Sequence, residues 1–380
     1  MRLFLGLALS WAAGMSVTAQ ERCASIPVGN GQVQASQSVE TGPLPSVITI
    51  PVVVHILWRT PEENIPDDQV RSQLEALNAD FNLGNADFPR IPAVFAARAA
   101  SSGIRFVLAT ADPDGRPTTG ILRKRTSAQL WINDDRIKSS RTGGSDPWDP
   151  QSYLNIWVGN LSSSLLGFSS FPGAPPAKDG IVIRYNVFGT RGNLSAPWNK
   201  GRTLTHETGH WLGLRHLWGD TPCGDDGIDD TPRQKSGNRG TPTFPLLRSE
   251  CSNGPDGDMF MNFMDLSDDA SLLMFTRGQT AIMRAQFNGV RKSFLSSKGT
   301  SEPWNFTPTL MLGLRFHPNP AKTYINIQGI PPGSCVEVFN NLGQAVLIRR
   351  MGEGRLELPS LPTGIYRLKV GEETRPLLVE

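Results

Sequence analysis

The pattern of apolar and polar positions first becomes regular at Ile48 to Trp58 (ITIPVVVHILW), a β-branched run with no alternation. Such a run predicts a strand buried on both faces. Pro66-Asp67-Asp68 then marks a helix start, with Val70, Leu74, Leu77 and Phe81 on one stripe. Further strands are predicted at Ile104 to Ala109, Tyr153 to Val158 and Gly180 to Tyr185, and a turn at Asp112-Pro113-Asp114-Gly115. Thr276 is placed to cap a helix from Gly278 to about Phe294, whose stripe is Ile282, Met283, Phe287, Val290 and Phe294. From Leu312 the period shortens, with strands expected at 324–327, 335–339, 347–349, 356–358 and 365–370. The expected organisation is an α+β domain over residues 46–296, a linker over 297–311 and a small all-β sandwich over 312–380.

The ends and the composition refine this picture. Arg2, the apolar stretch Leu3 to Ala13 and the small residues Val17-Thr18-Ala19 read as a secretory signal over residues 1–20. No later apolar run approaches the roughly 20 residues of a spanning helix, so no transmembrane segment is expected. Residues 21–45 are polar and rich in Pro and Gly, and read as a leader or pro-segment. A net charge of +2 gives no reason to expect nucleic acid as a partner. The cysteines are Cys23, Cys223, Cys251 and Cys335. An exported chain can keep disulfides, and Cys223 and Cys251 share one polar loop, so they are expected to pair. His55 sits within an apolar run and is expected to be a satisfied buried histidine.

The chemistry concentrates in His206-Glu207-Thr208-Gly209-His210-Trp211-Leu212-Gly213-Leu214-Arg215-His216. On a helix, His206 and His210 lie one turn apart on one face. Neutral imidazole is a good zinc ligand, and two of them make half of a tetrahedral site. Glu207 follows the first ligand and can reach a water beside the metal. Gly213 lets the chain leave the helix in a left-handed conformation, which brings His216 back as a third ligand. Three protein ligands leave one position open, the arrangement of a catalytic zinc. A surface helix that merely carried histidines would need neither Glu207 nor Gly213.

Downstream, Asp220, Asp225, Asp226, Asp229 and Asp230 crowd together. Carboxylates at this density suit Ca²⁺, with Asp220, Asp226, Asp229 and Asp230 the expected ligands; a solvated acidic loop is the alternative. Cys23 offers a thiolate that could fill the open metal position and hold the protein latent, or it is an adventitious cysteine.

The extended histidine motif followed by a Met-containing turn resembles the metzincin metallopeptidases. The resemblance is closest to the pappalysin family. It is carried by IPVVVHILW, DPWDPQSYLNIWVGNL, DGIVI, the histidine motif, DDGIDDTPRQ and NFMDLSDDASLLMFTRGQ. It implies a metzincin-like catalytic domain with a mixed twisted sheet and a zinc helix, over roughly residues 46–296. It implies zinc on His206, His210 and His216, Glu207 as general base, and Met264 as the Met of the turn beneath the metal. Two positions depart from the family pattern. Leu266 stands where relatives carry a tyrosine near the metal, and Ser271 where they often carry a cysteine. Loss of one oxyanion donor commonly costs about 10²–10³ in rate, so turnover is expected to be low unless another group substitutes. FHPNP (Phe316 to Pro320) and GIYRLK (Gly364 to Lys369) are similar to the C-terminal sorting domains of type IX secretion, which implies that machinery as a partner.

The expected function is that of a secreted zinc endopeptidase acting on proteins or peptides. The strand at Gly180 to Tyr185 is the expected edge for pairing an extended substrate. Asp268 and Asp269 are candidates for a negative specificity pocket, with a solvated turn the equal alternative. The alternative is a weakly active or inactive metzincin-like binding or adhesin protein, suggested by Leu266. An intact Glu207 argues against it.

Overall fold

The computed structural model describes residues 21–23, 25, 44–162, 165–247, 251–300, 315–328, 330, 334–340, 345–370 and 373–380. The expected signal segment and most of the expected leader lie outside them, as does the side chain of Cys335. The chain forms two compact units, Met1–Ser301 and Glu302–Glu380.

The first unit is built in chain order from β1 (Glu21–Cys23), β2 (Ile48–Trp58), α1 (Asp67–Phe81), the single turn α2 (Ala93–Ala96), β3 (Ile104–Leu108) and β4 (Ile121–Arg125). It continues with β5 (Leu154–Gly159), β6 (Leu165–Ser169), β7 (Ile181–Arg184), α3 (Arg202–Trp211) and α4 (Arg277–Ala285). Its sheet runs β1-β6-β7-β5-β2-β3, with β4 paired to the second half of β2 where β3 ends. Within it, β6 runs antiparallel to β7, while β3, β5 and β4 run parallel to β2 and β7 runs parallel to β5.

The uniform apolarity of β2 has a direct cause. Val52, Val54 and Ile56 pack with Leu74, Leu77, Leu204 and Trp211 from α1 and α3 on one face. Leu57 on the opposite face packs with Trp131, Ile137 and Trp157 beneath the long loops. His55 is buried there. Its Nδ1 lies 3.0 Å from Ser145 Oγ and its Nε2 3.0 Å from Asn155 Oδ1, and burial pushes its pKa down to about 4.

Three expectations need correction. The strand at Gly180 to Tyr185 is not the edge. It is β7, flanked by β5 and β6, and the outer strand is β6, on which β1 lies. The expected helix from Gly278 to Phe294 ends at Ala285 and continues as short 3₁₀ turns at Gln286–Asn288 and Lys292–Ser296. Gly289 separates the turns at φ −116° and ψ −123°, and Val290 is 54% exposed instead of in the core. The expected linker begins late, because Gly299 O accepts from the Thr110 and Ala111 amides of the first unit.

The second unit holds a three-stranded sheet, β12-β9-β8, and a four-stranded sheet, β11-β10-β13-β14. Their ranges are β8 Arg315–His317, β9 Tyr324–Gln328, β10 Ser334–Phe339, β11 Ala345–Met351, β12 Gly354–Glu357, β13 Gly364–Val370 and β14 Glu373–Val379. Ile325, Ile327, Val336, Val338, Leu356, Leu368 and Leu377 form their shared core, the packing of a β-sandwich.

A buried ion pair anchors the C-terminal end of α3. Arg291 forks onto Asp179 at 3.0 and 3.1 Å, donates to Trp211 O at 3.1 Å, and lies 3.5 Å over the Trp211 ring. Trp211 Nε1 donates to the same carboxylate at 2.9 Å. Removing one partner of such a pair leaves a buried charge uncompensated. Arg291→Ala is therefore expected to destabilise the first unit by about 3–5 kcal/mol in urea unfolding. A loss below about 1 kcal/mol would show that the pair contributes little.

Candidate metal centre

The site is assembled on α3, and the sequence fixes both ends of that helix. At its start, Asp269 Oδ2 accepts from the Lys200 and Arg202 amides at 2.8 and 3.3 Å. Arg202 lies 3.5 Å from Asp80 and 3.2 Å from Asp87. Burial pushes the Asp80 pKa up to about 6, opposed by the Arg202 charge. Asp269 is fully buried in this role, so the expected specificity pocket at Asp268 and Asp269 loses one of its two members. At the far end, Gly213 adopts φ +93° and Leu214 N donates to Gly209 O at 2.9 Å, which turns the chain back towards the helix.

That turn brings three imidazoles together. His210 Nε2 lies 3.1 Å from His206 Nε2 and 3.2 Å from His216 Nε2. Each Nδ1 faces an acceptor: Phe263 O at 2.7 Å for His206, Leu214 O at 2.8 Å for His210, and Asp220 Oδ1 at 2.5 Å for His216. An Nδ1 that donates leaves a lone pair on Nε2. Three lone pairs therefore point at one another, an arrangement that repels unless a cation lies between them. Zinc–nitrogen bonds of about 2.0–2.1 Å in a tetrahedron give N···N separations of about 3.4 Å, close to those observed. Burial, with the His216 charge second, pushes the His210 pKa down to about 3, which keeps the ring a neutral ligand. The residues present therefore fit zinc.

Cys23 completes the group. Its Sγ and a ring nitrogen of each of the three histidines all lie within 4.8 Å of one another. It arrives on β1, which pairs in parallel with β6 and sets Cys23 opposite Gly167. Burial first, then the Glu207 charge, push the thiol pKa up, so a thiolate here needs a neighbouring cation. Among the described residues, this is the one group of three or more His, Cys, Asp or Glu side chains that converges in this way.

Glu207 is fully buried beside β6; a Cβ on Gly167 would come within 3.3 Å of its Cγ. Burial pushes its pKa up to about 7, opposed by hydrogen bonds from Ser25, Cys23 and Ser169. Met264 lies under the helix, and a Cβ on Gly209 would meet its Sδ at 2.5 Å. This close approach accounts for a glycine at position 209.

Sequence reasoning missed several parts. Trp218 stacks on His216 with centroids 4.4 Å apart and planes 4° apart, and Phe171 lies 5.2 Å from the His210 ring. Asp265 builds the turn after Met264 by accepting from Gln234 at 2.7 Å, the Asn238 amide at 3.0 Å and the Leu266 amide at 2.7 Å. Leu266 is half-buried, and a Cβ on Gly237 would meet both Leu266 and Trp218 within 2.8 Å.

The four residues expected to bind calcium take separate tasks. Asp220 orients His216. Asp230 accepts from Thr276 Oγ1 at 2.6 Å and the Gly278 amide at 2.8 Å, at the start of α4. Asp226 accepts from Ile228 N and Thr231 Oγ1, and Asp229 is exposed. Cys223 and Cys251 are bonded, with Cα atoms 5.1 Å apart.

Comparison with known proteins agrees with this chemistry. Residues 138–288 match the peptidase family described as pregnancy-associated plasma protein-A, and residues 315–378 match the secretion system C-terminal sorting domain. An extracellular metalloprotease of Arthroderma otae is 31% identical over 298 residues, covering 74% of this chain and 95% of the relative. Mature mirolysin of Tannerella forsythia, solved with a cleaved peptide, is 44% identical with a TM-score of 0.65, over 66% of this chain and 97% of that one. A mutant of Tannerella forsythia promirolysin is also 44% identical with a TM-score of 0.65, over 67% and 85%. The chain belongs to the pregnancy-associated plasma protein-A family of metallopeptidases. It is a secreted or cell-surface enzyme, and its tail is a type IX sorting domain. No helix of the described residues is long and apolar enough to cross a membrane.

The Asp220–His216 contact generates a prediction. Asp220 has φ +61°, which asparagine tolerates, so Asp220→Asn removes the charge and keeps the turn. Carboxylates behind ligating histidines typically contribute 10–100-fold in metal affinity, and about ten-fold weaker zinc binding is expected in competition with a chromophoric chelator. Unchanged affinity would mean that the carboxylate does not support the ligand.

Proposed function

We propose that the chain is a zinc-dependent endopeptidase of the metzincin type in which Glu207 is the general base, and that Cys23 on the leader holds it latent. The carrying observation is the buried Glu207 carboxylate beside three inward-facing imidazoles, next to the outermost long strand of the sheet. Zinc bound there supplies Lewis acidity, polarising the scissile carbonyl and lowering the pKa of water. The chain's own residues supply the rest. His206, His210 and His216 hold the ion, each fixed by its Nδ1 partner. Glu207 takes the proton from the attacking water and returns it to the leaving amine. Met264 packs beneath α3 as the Met of the turn.

An extended substrate adds to the outer edge of β6, the position that β1 takes in the full chain. Leader and substrate therefore compete for one strand edge. That a relative was solved with a cleaved peptide supports a peptide substrate here. Trp218 and Phe171, flanking the histidines, are proposed to line the cleft.

The alternative of a non-catalytic binding protein rests on Leu266. It is disfavoured because a scaffold would gain nothing from burying Glu207 with Oε1 lacking a partner among the described residues. Calcium on the acidic loop is proposed in reduced form, resting on Asp226. Burial pushes its pKa up to about 7, and its Oδ2 has no partner among the described residues.

Two measurements test the main reading. Leader-free protein carrying Glu207→Ala, with zinc content unchanged, is expected to lose at least about 10³-fold in cleavage of a peptide library read by mass spectrometry. Retained cleavage would remove Glu207 from the reaction. In the uncleaved full-length chain, Cys23→Ser is expected to release activity that the parent lacks. A Cys23→Ser chain as silent as the parent would remove the thiol from the latency mechanism.

A further inference from the structure

The leader touches the site at a second point. Two residues after Cys23, Ser25 is buried, and its Oγ donates to Glu207 Oε2 at 2.8 Å. Ser25 Oγ also accepts from the Ser169 amide at 2.8 Å and lies 3.2 Å from Ser169 Oγ. The Ser25 amide in turn donates to Cys23 Sγ at 3.3 Å. The strand register explains the placement. Glu21 faces Leu165 and Cys23 faces Gly167, and two residues further on Ser25 meets Ser169 at the end of β6.

We propose that Glu207 and Ser169 together form a binding site for one hydroxyl oxygen, filled by Ser25 in the full-length chain and by the attacking water once the leader is gone. The proposal rests on Glu207 as general base and on residues 21–45 as an inhibitory leader. The chemistry of the position carries it. A water that is to be deprotonated by Glu207 must donate to that carboxylate, and Ser25 Oγ makes this donation. Such a water also needs partners for its remaining hydrogen-bonding positions, and the Ser169 amide and the Ser169 hydroxyl both lie against Ser25 Oγ, at 2.8 and 3.2 Å. The amide faces the outer side of β6, while the next amide, Ser170 N, donates to Gly180 O beside β7. Ser169 is thus a positioning residue of the hydrolytic step. The leader blocks the site twice, with a thiol among the imidazoles and a hydroxyl at the base.

The test has two arms, each with a readout that loss of fold would not mimic, on variants with the parental thermal midpoint. In the full-length chain, Ser25→Ala should speed alkylation of the Cys23 thiol by roughly ten-fold, the scale of a hydrogen bond to a charged group. Ser25→Thr, which keeps the hydroxyl, should restore the slow rate. In leader-free protein, Ser169→Thr keeps the amide and hydroxyl and should retain parental kcat. Ser169→Ala, which keeps the amide and removes the hydroxyl contact, should lower kcat by a few-fold or more, with KM within about two-fold of the parent, because that hydroxyl acts on the water and not on the peptide. Alkylation of Ser25→Ala at the parental rate, or Ser169→Ala with parental kcat, overturns the proposal. If Cys23→Ser stays latent while Ser25→Ala opens the site, the thiol reading fails and the hydroxyl site stands.

Discussion

Three nitrogen lone pairs aimed at one point cannot be held together by anything in the polypeptide. Phe263 O, Leu214 O and Asp220 Oδ1 claim the Nδ1 protons of His206, His210 and His216, and so turn three Nε2 acceptors towards one another. The packing that enforces this is spread widely. Asp269 and Arg202 fix the start of α3, Met264 presses on it at Gly209, and the Asp179–Arg291 pair fixes its end. Each of these contacts costs conformational freedom, and the metal is what makes the resulting arrangement favourable. The fold as a whole acts as a clamp that stores an electrostatic demand for a cation.

The same economy extends to the strand edge. The outer side of β6 presents backbone groups beside Glu207, and any extended segment can pair there. Strand β1 uses this general property in the parallel sense, which brings Cys23 opposite Gly167 with its thiol at the imidazoles. A residue with a side chain at 167 would collide with Ile183 and crowd Glu207, so the glycine keeps the site open. On the proposed reading, latency and substrate binding are two uses of one surface.

Much of this was legible in the sequence because local spacing carries it. The offsets of His206, His210 and His216 and the left-handed requirement at Gly213 follow from helix geometry alone. The buried run of β2 and the stripe of α1 follow from apolar periodicity, and the change of period after Leu312 marked the tail. What escaped depends on partners distant in the chain. β1 is three residues long and polar, and it is a strand only because β6 lies beside it. β6 (LLGFS) is short, and its place outside β7 is a fact of topology, so local pattern alone points to β7 as the edge. Asp220 looked like one carboxylate among several until the turn at Gly219 brought it under His216. Ser25 carried no signal at all, since its meaning lies in Ser169 and Glu207, more than a hundred residues away.

The central claim is that the imidazole cluster exists to hold a metal whose remaining position the leader occupies. X-ray absorption at the zinc edge of the full-length chain, before and after leader removal, tests it most directly. The account predicts three nitrogen ligands throughout, with a sulfur neighbour at about 2.3 Å that disappears when the leader is cleaved. A spectrum without sulfur in the full-length chain, or with fewer than three nitrogens in either form, would contradict it.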